Sequence, residues 1–220
     1  MHVASRNGQL DIAKLLVERG ADVDSPNNSE ETPLNRAAEY GCLDIVCFLI
    51  ESGAAVSAQD NEGWTSFHKA SYFGNLHIAK SLLECGIDVD IRANSEETSL
   101  FLASSNGKLD VASFLVERGA DVYAKNNNGG NPLHAASQQG HLDVVRMLID
   151  TGIAIDIPNG SQQTPLALAS SKGKVEVGRF LIERGADVNA RDNQGRTPLH
   201  FASGRGHFDM ARLLLEHPAR

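Results

Sequence analysis

The residues best suited to chemistry are histidines, serines, cysteines and carboxylates, and nearly all of them recur at fixed intervals. His2, His68, His134 and His200 are spaced by 66, and His141 and His207 each follow one of them by seven. A zinc site needs three or four ligands converging at characteristic spacing, and a general base needs a partner to act on. Histidines set by a repeat supply neither, and are expected to hydrogen-bond backbone groups. Ser71, Ser104, Ser137, Ser170 and Ser203 form another column 33 residues apart, so no single serine reads as an activated nucleophile. Asp11, Asp44, Asp110, Asp143 and Asp209 recur where second helices are expected to begin, and are expected to cap them and complement the helix dipole. Ser171-Lys172-Gly173-Lys174 and Gly204-Arg205-Gly206 lack the full phosphate-loop pattern and its preceding strand. Cys42, Cys47 and Cys85 are odd in number and lack CxxC spacing, which suits reduced thiols. No catalytic, cofactor-binding or metal-ligating set is expected.

The period behind these columns also sets the architecture. Thr32-Pro33-Leu34, Thr65-Ser66-Phe67, Thr98-Ser99-Leu100, Asn131-Pro132-Leu133, Thr164-Pro165-Leu166 and Thr197-Pro198-Leu199 start 33 residues apart. A second marker, Gly20-Ala21-Asp22-Val23 through Gly185-Ala186-Asp187-Val188, keeps the same step. Thr32 can cap a helix with Pro33 at its first position, Ala37 and Ala38 facing inward and Gly41 ending it. A second helix follows from Asp44, with Ile45, Val46, Leu49 and Ile50 forming an apolar stripe that stops at Gly53. Residues 57–64, centred on Asp60-Asn61-Glu62-Gly63, carry turn chemistry and should project as a finger. One such unit cannot enclose its own stripe, so units must stack.

The TPLH-like start, the GADV-like end and the 33-residue step resemble the ankyrin-repeat family. The nearest match to its pattern runs from Gly185 to His200, and the resemblance covers essentially the whole chain. It implies an all-α repeat solenoid of stacked helix pairs with projecting β-hairpin or turn fingers, whose concave face of fingers and first helices binds protein partners. The expected repeats are 1–23 (truncated), 24–56, 57–89, 90–122, 123–155, 156–188 and 189–220, forming a single domain. In the family the repeated histidine bonds the neighbouring finger. Asn189 resembles a finger asparagine that some members hydroxylate, although other repeats carry different residues there.

A 66-residue period underlies the 33-residue one. Asn35, Phe101 and Ala167 replace histidine in alternate repeats, and fingers bearing Gly63, Gly129 and Gly195 alternate with fingers bearing Glu30, Glu96 and Gln162. Because glycine alone reaches positive φ cheaply, alternate fingers are expected to differ in shape. Gly178 stands in a helix position filled elsewhere by Ala or Val and reads as a soft joint or as neutral drift. The chain begins mid-repeat, Pro218 replaces the helix-ending glycine, and Phe208, Met210, Leu213 and Leu214 keep the last repeat apolar, so a segment of a longer array is expected.

Partner recognition is sought at positions the repeat does not need. In repeats two and three these are Glu31, Arg36, Glu39, Tyr40, Trp64, Lys69, Tyr72 and Phe73, which gather the chain's single Trp and two of its three Tyr. Adjacent helices lie roughly 8–10 Å apart, so these side chains can form one patch of the kind that anchors interfaces. The competing reading is ordinary packing over the helix turns and the next finger. Early fingers are acidic (Glu30, Glu31, Glu62, Glu96, Glu97) and the later groove basic (Lys125, Lys172, Arg191, Arg196, Arg205), a polarity that would orient a complementary partner. The formal charge of −8 disfavours nucleic acid. No apolar run spans a membrane, and two glycosylation sequons, at Asn27 and Asn159, follow no secretory signal. The expectation is a monomeric intracellular protein, cytoplasmic or nuclear, that binds a protein or peptide, with end-to-end association open to its apolar ends. The alternative is a spacer segment of a larger protein whose activity lies elsewhere.

Overall fold

A computed structural model of the chain describes residues 1–217; Pro218 and the expectation attached to it lie outside them. The described residues form helix pairs: α1 (His2–Arg6) with α2 (Leu10–Glu18), α3 (Pro33–Tyr40) with α4 (Leu43–Glu51), α5 (Ser66–Phe73) with α6 (Leu76–Glu84) and α7 (Ser99–Ser105) with α8 (Leu109–Glu117). The pattern continues with α9 (Pro132–Gln139) and α10 (Leu142–Asp150), α11 (Pro165–Ser171) and α12 (Val175–Glu183), α13 (Pro198–Gly204) and α14 (Phe208–Glu216). Two compact units result, one of residues 1–103 and 110–120, the other of residues 104–109 and, among the described residues, 121–217.

Each first helix starts as its residues dictate. The Thr32 hydroxyl oxygen accepts from Asn35 N, Pro33 occupies the first turn where no N–H is needed, and Gly41 ends α3 in the left-handed region at φ 77°. In α5 and α9 the cap is reciprocal. Thr65 accepts from His68 N while its own N–H donates to His68 Nδ1, and Asn131 and His134 repeat the arrangement. The second helices turn one apolar stripe inward: Ile45, Val46 and Leu49 in α4, Ile78, Ala79 and Leu82 in α6, Val144, Val145 and Leu148 in α10. Leu34, Phe67, Leu100, Leu133 and Leu166 of the first helices are fully buried, each side chain contributing about 2 kcal/mol by area.

The acidic column does not cap the second helices. Asp11, Asp44, Asp143 and Asp209 sit inside the first turn, and the residues before it (Gln9, Cys42, His141 and His207) make no side-chain cap bond. The carboxylates therefore complement the helix dipole, and Asp209 also pairs with Arg212 at 3.2 Å.

Fingers are closed by turns. Asn27 Oδ1 accepts from Ser29 N and Glu31 N at 2.8 and 3.0 Å, and Asp60, Asn126, Asn159 and Asp192 do the same in their fingers. A single isolated antiparallel bridge, Arg92 with Thr98, is present among the described residues. The expected difference in shape between alternate fingers is not found. Glu30, Glu96 and Gln162 adopt φ of 58°, 63° and 59°, in the same left-handed region as Gly63, Gly129 and Gly195. In most fingers the Asx side chain imposes this turn on whatever residue follows it.

At two of the three glycine fingers, those of Gly63 and Gly129, space makes the difference instead. A Cβ on Gly63 would lie 2.5 Å from Asn94 N, and one on Gly129 equally close to Gly160 N. The 66-residue period also appears on the second helices. Lys80 and Arg118 lie over the Phe114 ring at 5.6 and 4.8 Å, and Arg146 and Arg184 over Phe180 at 4.4 and 4.7 Å.

Gly178 is neither a joint nor idle drift. It is buried inside an unbroken α12, and the Met210 methyl group fills the space a Cβ would take. In the last repeat Met210, Leu213 and Leu214 are buried, which corrects their reading as an open apolar end. Phe208 and Leu215 are the exposed apolar residues there.

Candidate functional site

The eight side chains singled out in repeats two and three form one connected network. Glu31, at the base of the finger preceding α3, pairs with Arg36 on that helix at 3.4 Å and with Lys69 of α5 at 3.1 Å. Arg36 bridges onward to Glu39 at 2.7 Å, one turn along α3, and its guanidinium lies 5.0 Å from the centre of the Tyr40 ring. Lys69 also meets Asp60 at 2.8 Å and lies 5.2 Å from the Trp64 ring centre. Trp64 contacts Tyr72 at 5.2 Å between ring centres, and Tyr72 meets Phe73 edge-on at 5.0 Å. Acid–base pairs run along α3 and an aromatic ladder along α5.

The ions are largely shielded from water. Side-chain exposure is 13% for Lys69 and 4% for Asp60, so their attraction is screened far less than that of a surface pair. Burial disfavours the Lys69 charge, but hydrogen bonds and attraction from Asp60 and Glu31 outweigh it and raise the ammonium above its ordinary pKa. Burial works against the Glu31 carboxylate too. The Asn27 amide, with Lys69 and Arg36, overcomes it and holds Glu31 below the usual carboxylate range. The rim is open, since Tyr40 and Phe73 are 44% and 43% exposed.

Sequence reasoning missed four participants. Asp60 and Asn27 supply the second anion around Lys69 and the amide on Glu31, and both occupy the recurring finger Asx position. Asn35 Nδ2 donates to Trp64 O at 3.0 Å, doing in α3 what histidine does elsewhere. Arg6 lies 4.9 Å from the Tyr40 ring centre, a contact no spacing announced. Glu31, read as a fingertip charge, instead lies within the network. Glu30 and Glu62 are exposed fingertip carboxylates without a side-chain partner among the described residues.

Among the other chemical candidates the histidines are held by backbone. His2 Nε2 lies 2.8 Å from Glu31 O, His68 Nε2 3.0 Å from Ile91 O and His134 Nε2 3.2 Å from Gln163 O. Because Nδ1 of His68 and His134 accepts a backbone N–H, these rings are neutral and protonated on Nε2. Burial lowers the pKa of both to about 4. His141 and His207 reach Ser105 O and Ser171 O. All three cysteines are free, and burial pushes the Cys42 and Cys47 thiols up, away from the reactive thiolate. Ser71, Ser104 and Ser137 are buried hydroxyls without a hydrogen-bond partner. Among the described residues no group of three His, Cys, Asp or Glu is placed to hold a metal ion.

In the second compact unit Arg191, Arg196 and Arg205 of the basic set are tied down. Arg196 binds Asp192 through Nε and Nη2 at 2.8 and 2.7 Å and covers Phe201, Arg205 donates to Ser171 O, and Arg191 to Gly195 O.

A family model for ankyrin repeats in sets of three copies matches residues 1–93, 67–159, 100–192 and 155–220, which overlap along the whole chain. The chain belongs to the ankyrin-repeat family. Ankyrin repeats are generally protein–protein interaction modules. The crystal structure of the human ASB11 ankyrin repeat domain is similar in fold, with a TM-score of 0.88, 24% identity, and coverage of 100% of this chain and 97% of that one. At that identity the likeness speaks for the fold. No curated protein sequence matches the chain significantly. No helix among the described residues is long and apolar enough to cross a membrane.

Proposed function

We propose that this ankyrin array is a non-catalytic scaffold that holds a partner protein or peptide against the fingers and first helices of repeats two and three. The observation that carries this is the joining of Glu31, Arg36, Glu39, Tyr40, Trp64, Lys69, Tyr72 and Phe73 into one surface, aromatic at its rim and ionic beneath. Leu34, Ala37 and Ala38 of α3 and Phe67, Ala70 and Ser71 of α5 are buried in the core. The network lies outside that core. Internal ion pairs hold the aromatics in place before a partner arrives, which lowers the entropy lost on binding.

The test compares capture of partners from native cell extract by the intact chain and by a Trp64→Ala/Tyr72→Ala variant of matched thermal stability. Loss of a partner with the variant supports the groove. Equal capture by both proteins removes these residues from the interface.

A further inference from the structure

We infer that the segment held in this groove is extended and basic, with an apolar side chain set between Arg or Lys residues placed about three positions apart. The inference rests on the groove reading and names the chemistry of its occupant.

Charge supplies the first argument. In the finger and first-helix stretches of repeats two to four, nine carboxylates face three cations, Arg36, Lys69 and Arg92. All three cations are already bound to carboxylates: Arg36 to Glu31 and Glu39, Lys69 to Glu31 and Asp60, and Arg92 to Glu96. Within these stretches an acidic partner would meet no unpaired cation, the exposed Arg6 of α1 beside Tyr40 being, among the described residues, the one cation at the patch without a carboxylate, whereas Glu30 and Glu62 offer exposed carboxylates. Like charges across an interface are penalised and opposite ones steer encounter.

The aromatic ladder is the second and independent argument. Phe73 is 43% exposed beside Tyr72, which provides an apolar shelf. The Trp64 indole N–H and the Tyr72 hydroxyl have no hydrogen-bond acceptor among the described residues. Two donors beside an apolar shelf suit the carbonyls of an extended backbone that lays a Leu- or Phe-like side chain on the rings.

Spacing makes the pattern specific. Neighbouring fingers are joined by main-chain bonds, Asn61 N to Ser29 O at 3.1 Å and Asn94 N to Glu62 O at 3.0 Å, so their carboxylates are carried on a fixed ladder. Repeats stack at the roughly 8–10 Å of packed helices. An extended chain in the polyproline II conformation advances about 3.1 Å per residue with three residues per turn, so every third side chain returns to the same face and meets a new finger.

The experiment selects from a random dodecapeptide display library on the intact chain and measures enriched synthetic peptides by the emission of Trp64, the chain's single tryptophan. Enrichment of Arg or Lys at three-residue steps around an apolar residue is the expected result. A Glu30→Lys/Glu62→Lys variant should then bind about tenfold more weakly, with affinity falling as salt rises. Acidic or neutral peptides that ignore this charge reversal yet lose affinity with Tyr72→Ala would overturn the basic-segment inference and leave the groove standing. If no enriched peptide responds to Tyr72→Ala or Phe73→Ala, both the inference and the groove reading fall.

Discussion

Asn94 brings its backbone nitrogen to 2.5 Å from the point where a Cβ on Gly63 would stand. Gly63 shares its left-handed φ with Glu30 of the preceding finger, so backbone conformation is not what separates them. Gly63→Ala should destabilise the protein by about 2–4 kcal/mol, combining a left-handed non-glycine residue with a clash against main chain that cannot swing aside. Glu30→Gly should be neutral or stabilising by up to about 1 kcal/mol, since relief of the turn is offset by a freer unfolded chain. Urea denaturation of the two variants checks the asymmetry, and equal effects would contradict it.

Met210 and Gly178 form a complementary pair. Other repeats place Ile or Val in the methionine column and Ala or Val in the glycine column. Gly178→Ala alone should gain about 1 kcal/mol of helix propensity and lose as much or more by displacing the Met210 thioether. In a Met210→Val background the same change should stabilise. A double-mutant cycle should give a coupling of about 1 kcal/mol, and strict additivity would refute the pairing.

Lys69→Met keeps the stem over Trp64 but leaves Asp60 and Glu31 facing each other without their cation. A loss of about 1–3 kcal/mol is expected, below the cost of breaking a fully buried pair because these groups retain some contact with water. Asp150→Asn, which breaks an exposed pair with Arg184, should change stability by less than about 0.5 kcal/mol. Chemical denaturation at neutral pH compares them, and similar values would place the Lys69 network among ordinary surface pairs.

Acid should weaken the fold before the carboxylates titrate. Unfolded His68 and His134 take up a proton near pH 6.5, whereas burial delays uptake in the folded chain to about pH 4. The unfolded state binds more protons across that window, so stability is full above it and declines as pH falls, by roughly 3 kcal/mol per histidine at most. Around His68 the nearest charges are Asp60, which favours protonation, and Lys69, which opposes it. His68→Asn, the residue type at Asn35, should flatten the decline in urea midpoint between pH 7 and pH 4.5. An unchanged slope would assign the acid sensitivity to other groups.

The sequence by itself determined the repeat, its helix pairs and their caps, because these depend on neighbours within a few residues. Thr32 with Pro33, the Ile45-Val46-Leu49 stripe and the 33-residue step are all legible along the chain. It also pointed to the aromatic and charged cluster, since Trp64, Lys69 and Tyr72 depart from what the repeat demands. Tertiary structure decided what those departures do. Glu31 and Lys69 are 38 residues apart, and only stacking brings them to 3.1 Å. The ring tautomer of His68 depends on Ile91 O in the next finger, and the need for glycine at 63 depends on Asn94. Such facts are distances between repeats, and a linear period records that a position recurs without recording what stands opposite it.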